Sequence, residues 1–146
     1  MPTYDVREAI DLYGPRRAVH DVAASLGFSR NECQELAIVV SELTSNILKY
    51  GVRGTIAIES TTSAIHGAGI IVVARDQGPP FHDIELALRD GYDDRGPIDP
   101  ATLMKRGGLG TGLGAVVRLT DAFEMQSVPG GKTIQVIRYR LRPKKR

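Results

Sequence analysis

The residues from Ser29 to Gly51 constrain the chain more than any others, because they read as one long helix carrying two different stripes. Ser29-Arg30-Asn31-Glu32 has the form of a capping box, in which the serine and the glutamate three residues on each satisfy a free N–H. Phe28 and Cys33 stand where a hydrophobic staple joins. Apolar residues recur at Leu36, Val40, Leu43, Ile47 and Tyr50, the spacing of one helix face, and Gly51 is placed to close the helix. Beside that seam run Glu42, Asn46 and Lys49, at i, i+4 and i+7 and so on a common face. Taken alone, a carboxylate, an amide and an ammonium there describe a solvated helix flank as well as they describe a site.

Two later segments favour a site. Gly69 to Arg75 is a run suited to a buried strand, and it ends at Asp76-Gln77-Gly78-Pro79-Pro80. Gly107-Gly108-Leu109-Gly110-Thr111-Gly112-Leu113-Gly114 then leads into a helical pattern. Glycines let backbone N–H groups approach phosphate closely, and a helix N-terminus behind them favours an anion. A flexible loop with a small-residue helix start is the plainer reading of the same letters. Lys105 and Arg106 stand just before the loop, placed to screen a γ-phosphate. Asn46 offers one neutral carbonyl oxygen from a rigid helix, compatible with Mg²⁺, which keeps several waters. A lone Asp-x-Gly, by contrast, is usually a turn.

The order is Glu-x-x-x-Asn on a helix, Asp-x-Gly after a strand, and a glycine-rich loop before a helix. In that order the chain resembles the ATP-binding (Bergerat, GHKL) fold of gyrase, Hsp90, histidine kinases and MutL. Glu42-Leu43-Thr44-Ser45-Asn46-Ile47, Tyr50, Asp76-Gln77-Gly78-Pro79 and Gly107 to Leu113 are similar to one branch of it. That branch is the small bacterial serine/threonine kinases of the partner-switching systems, the anti-sigma factor regulatory kinases, and most of all the stressosome switch kinases of the RsbT type. The resemblance spans nearly the whole chain.

The resemblance implies ATP and Mg²⁺ as cofactors. It implies that Asn46 holds the metal and that Glu42 is the catalytic carboxylate, orienting or deprotonating a serine hydroxyl. It implies that Asp76 accepts the adenine amino hydrogen, which favours adenine over guanine, and that Gly78 lets the ring pack close. Phosphate contacts fall on Lys105, Arg106, Gly108, Leu109, Gly110, Thr111, Gly112 and Leu113. Lys49 adds charge near the phosphates or is a solvated side chain. Two positions depart from the pattern. Pro80 stands where the superfamily has the second glycine of Asp-x-Gly-x-Gly, and Pro79-Pro80 removes two donors. Thr133, carried over as the threonine near adenine, follows Gly131-Lys132 instead of following glycine directly.

Composition narrows the classes. At 146 residues the chain is read as a single domain, residues 1–146, large enough for a real core. A net charge of +2 gives no steer toward nucleic acid. One cysteine excludes an internal disulfide and a cysteine-rich metal site. No apolar run approaches membrane-spanning length, and the N-terminus lacks the pattern of a signal peptide, so the cytoplasm is the expected location.

In chain order, Tyr4 to Ile10 suggests an edge strand, and Pro15 opens a helix that Gly27 ends. Thr55 to Thr61 and Ile70 to Ala74 suggest an antiparallel hairpin. Phe81 to Asp90 has a loose helical pattern, and Gly91 to Gly108 is a long charged stretch without period, of the kind that serves as a lid. Gly112 to Ala122 suggests a helix, and Phe123 to Val128 and Thr133 to Leu141 a closing hairpin. In the last strand the alternation of Ile134 and Val136 changes phase at Ile137, which suggests a bulge or a strand buried on both faces. The sum is a two-layer α/β sandwich, with helices on one face of a mixed, largely antiparallel sheet.

Two other motifs fail on context. Gly110 to Ala115 spells a dinucleotide fingerprint without the strand immediately before it or the later acid, and Gly131-Lys132-Thr133 lacks the first glycine and following helix of a P-loop. The expected function is therefore an ATP-dependent protein serine/threonine kinase. Its substrate would be a STAS-domain antagonist protein, and once released from that partner it would activate a PP2C-type phosphatase; neither nucleic acid nor membrane is expected as a partner. The alternatives are an anti-sigma factor kinase that binds a sigma factor directly and a non-catalytic nucleotide-binding module.

Overall fold

The computed structural model describes residues 2–50, 52–78, 92–93, 96–97 and 112–143. In order these form β1 (Thr3–Val6), a 3-10 turn (Ala9–Leu12), α1 (Tyr13–Ser25), α2 (Arg30–Tyr50), β2 (Gly54–Ser63) and β3 (Gly67–Asp76). Then come the two-residue strands β4 (Tyr92–Asp93) and β5 (Gly96–Pro97), α3 (Leu113–Arg118), β6 (Ala122–Val128) and β7 (Gly131–Tyr139). The main sheet has the order β1-β2-β3-β7-β6, and every pairing in it is antiparallel. β3 lies at its centre, which explains why its run is apolar on both faces.

The helix ends follow their local chemistry. Gly27 has φ +85°, and its N–H donates to Ala24 O while the Phe28 N–H donates to Ala23 O, a Schellman closure of α1. The capping box at α2 forms as the sequence predicts: Ser29 N–H donates to Glu32 Oε1 (2.9 Å) and Glu32 N–H to Ser29 Oγ (3.2 Å). Phe28 and Cys33 are both buried in the core. α2 then presents Leu36, Val40, Leu43 and Ile47 to the sheet residues Ile56, Ile58, Ile70, Val72, Ala74, Ile134 and Val136.

Three expectations need correction. The first strand stops at Val6, because the Asp11 carboxylate accepts from the N–H groups of Arg7 (2.9 Å) and Glu8 (3.1 Å) and turns the chain. The helix expected to reach Ala122 ends at Arg118. There the Thr120 hydroxyl donates back to Val116 O (2.7 Å) and the Asp121 N–H donates to Ile137 O (2.7 Å), leading the chain into β6. The last strand has no bulge: its pairing with β3 and β6 is continuous. Its inward positions are Lys132, Ile134, Val136 and Arg138, so the apparent change of phase is a buried arginine standing where an apolar residue was expected. Arg138 Nη1 donates to Leu119 O (2.9 Å), and Nη2 lies 3.4 Å from both Glu32 and Glu35. The segments 81–90 and most of 91–108 lie outside the described residues.

Candidate functional site

The site begins at the end of the central strand. Register places Asp76 opposite Gly54 of β2 and Lys132 of β7. Both neighbouring strands need glycine here. A Cβ on Gly54 would stand 1.9 Å from Arg75 O, and one on Gly131 would stand 1.9 Å from Asp76 O. Asp76 shares its face of the sheet with Ala74 and Val72, as Lys132 does with Ile134 and Val136. The two side chains therefore meet: Lys132 Nζ is 3.1 Å from Asp76 Oδ1, with side-chain exposures of 1% and 4%. The Gly78 N–H donates to the same oxygen (2.8 Å), the geometry of an Asx turn. Both donors fall on Oδ1, and no described residue donates to Oδ2.

The polar stripe of α2 divides in two. Glu42 and Asn46, one turn apart, are only 2% and 5% exposed, whereas Lys49 is exposed. A solvated flank therefore does not describe the first two positions. Burial of such groups is costly unless a partner meets them. Among the described residues the Asn46 amide makes no side-chain hydrogen bond, and on the same stretch of helix the wholly buried Thr44 hydroxyl has no partner among them either.

Other expected residues are not brought together in this way. Thr133 pairs with Arg75 and so lies on the face of the sheet away from Asp76; the residue facing Asp76 is Lys132. Sequence reasoning passed over Lys132, although its phase with Ile134 and Val136 was a usable signal. Gly112 (φ +67°) and Leu113 begin a helix of only six residues, which contributes little dipole. Lys105, Arg106, Gly108, Leu109, Gly110, Thr111 and Pro80 lie outside the described residues.

What is described suits a purine nucleotide. A base needs a few convergent polar groups in an otherwise dry slot, and Asp76 Oδ2 is an acceptor without a described donor. Mg²⁺ takes few protein oxygens, which one asparagine carbonyl can provide. No group of three or more His, Cys, Asp or Glu that would hold a metal by itself occurs among the described residues.

Comparison with known proteins identifies the family. The pattern of the histidine kinase-like ATPase domain matches residues 7–138. The chain is 35% identical over 130 residues to the serine/threonine-protein kinase RsbT of Bacillus subtilis, covering 88% of this chain and 89% of that protein. The chain thus belongs to the histidine kinase-like ATPase domain family and, within it, to the RsbT-type serine/threonine kinases. In fold it is similar to a chain of the SiaB–SiaC complex from Pseudomonas aeruginosa, with a TM-score of 0.58 and 16% identity over 95% of this chain and 89% of that one. No helix among the described residues is long and apolar enough to cross a membrane.

Proposed function

We propose that this chain, acting as a single cytoplasmic domain, transfers the γ-phosphoryl group of ATP to a serine or threonine of a STAS-domain antagonist protein. After release from that partner it activates a PP2C-type phosphatase. The observation that carries the reading is the buried pair Glu42 and Asn46 on α2, in a chain 35% identical to a serine/threonine-protein kinase. Phosphoryl transfer asks a protein mainly for positioning and for charge stabilisation. Asp76 accepts from the base and sets the nucleotide at the end of β3, with Gly78 beside it. Asn46 would hold Mg²⁺, which supplies charge neutralisation at the phosphates. Glu42 orients the acceptor hydroxyl and takes its proton as the oxygen attacks. Lys49, one turn beyond Asn46 on α2, would add positive charge, and the loop from Lys105 to Leu113 would supply phosphate donors.

The test separates binding from transfer. Glu42→Ala keeps most ATP affinity while phosphorylation of a STAS partner in single turnover falls by about 10²–10⁴-fold, the range for a positioned base. Asn46→Ala loses Mg²⁺-dependent affinity as well. Transfer at the wild-type rate by Glu42→Ala would refute the assigned role of the carboxylate.

A further inference from the structure

A single buried cation on β7 holds two helices at once. Arg138 faces inward, opposite Ile70 of the central strand, and is 3% exposed. Its Nη1 donates to Leu119 O at the end of α3 (2.9 Å). Its Nη2 lies 3.4 Å from Glu32 Oε2 and 3.4 Å from Glu35 Oε1, near the start of α2. Nε is buried and has no partner among the described residues. Buried ions are often no better for stability than apolar side chains of like volume, and an unpaired N–H adds to the cost.

The place where Arg138 grips α2 explains what the cost is for. Glu32, Glu35, Val39, Glu42 and Asn46 follow one another at steps of three and four, so they share one stripe of the helix. Arg138 holds the N-terminal end of the stripe that carries the proposed catalytic carboxylate and the proposed Mg²⁺ ligand further along. A grip on one stripe fixes the rotation of a helix about its axis. With side chains a helix is about 10–12 Å across, so a turn of ~10° moves a side-chain tip by ~1 Å. A misplacement of that size costs about 10²-fold in rate. The planar fork of an arginine meets a carbonyl and two carboxylates in fixed directions, which the point charge of a lysine does not.

We propose that Arg138 is a positioning residue that sets the rotation of α2, and through it the placement of Glu42 and Asn46; this rests on the roles proposed above for those two residues. A purely structural arginine would add stability and leave the chemistry of the folded protein unchanged.

The test compares Arg138→Met, Arg138→Lys and Glu35→Gln in the full chain, at a temperature where circular dichroism shows each folded. Glu35 takes no part in the capping box, so its substitution leaves the start of α2 intact. In Arg138→Met, single-turnover phosphorylation of a STAS-domain partner falls by about 10²-fold. The gain in ATP affinity on adding Mg²⁺, read by calorimetry, shrinks, while affinity without Mg²⁺ stays at the wild-type value. Arg138→Lys and Glu35→Gln fall between Arg138→Met and wild type in both readings, and they decide the matter if Arg138→Met does not fold. Added to Glu42→Ala, Arg138→Met lowers transfer by under about tenfold more, because residues that act as a unit are not additive. Folded variants with wild-type transfer and a wild-type Mg²⁺ gain overturn the proposal. So does an equal loss of affinity with and without Mg²⁺, which marks a general structural defect, and so does a further loss of about 10²-fold in the Glu42→Ala background. If Glu42→Ala transfers at the wild-type rate and Asn46→Ala keeps its Mg²⁺ gain, the roles of those two residues fail first and this proposal with them.

Discussion

Replacing Lys132 with methionine while Asp76 stays in place strands a carboxylate whose side chain is 4% exposed. At an effective dielectric constant of about 20, unit charges at the observed 3.1 Å attract by roughly 5 kcal/mol. That attraction offsets the cost of drying both groups, so the pair is near neutral when complete and costly when halved. Removing one partner of such a pair costs about 3–5 kcal/mol. Against a usual domain stability of about 5–15 kcal/mol, this is a large fraction. Removing both charges, as Asp76→Leu with Lys132→Met, leaves neither member of this pair facing an apolar side chain as an ion and is expected to return stability to within about 2 kcal/mol of wild type. The remaining loss includes the acceptor of the Gly78 N–H, a hydrogen bond worth about 1 kcal/mol.

Urea unfolding of the four proteins at pH 7, followed by circular dichroism, gives the coupling energy directly. Two single variants that each lose less than about 1 kcal/mol, and that add in the double variant, would refute the picture of a desolvated pair. The result also governs how Asp76→Asn is read as a test of base recognition. That substitution removes the negative charge that faces the Lys132 ammonium, so its binding defect must be measured at a temperature where the variant is folded.

Three further outcomes follow from other parts of the chain. Burial raises the Glu32 carboxyl, but the Ser29 N–H and hydroxyl and the Arg138 charge outweigh it and hold the folded pKa below the ordinary 4.5. Its stabilising contribution is present above pH 4.5 and is lost as pH falls through the folded value, so Glu32→Gln flattens the acid limb of Tm against pH; an unchanged limb would contradict this. Burial, and next the Glu32 charge, raise the Cys33 thiol above 9.0, so the native protein is expected to react with a thiol reagent at pH 8 only as fast as it unfolds. Gly131→Ala places a Cβ 1.9 Å from Asp76 O and should cost about 1–3 kcal/mol in urea unfolding; full stability would show that β3 and β7 do not approach so closely there.

The parts of this fold that were legible in sequence are those fixed by local chemistry. The capping box at Ser29 and Glu32, the Gly27 closure and the β2–β3 hairpin depend on neighbours within a few residues, and each formed where its letters stand. What escaped was decided by partners far along the chain. The 3-10 turn after Val6 depends on Asp11 reaching back, and the early end of α3 on Ile137 capturing the Asp121 N–H. Lys132 and Arg138 are the clearest cases. Each occupies an inward position of β7, in phase with Ile134 and Val136, and period-2 reading counts any cation as outward-facing. Their burial depends on a carboxylate 56 residues away for Lys132 and on Glu32 and Glu35 more than 100 residues away for Arg138. A strand that appears to lose its alternation at a cation therefore has two readings, a bulge or a buried ion. The second predicts an acid on a facing element. Asp76, already singled out at the end of the central strand, was the acid to seek for Lys132.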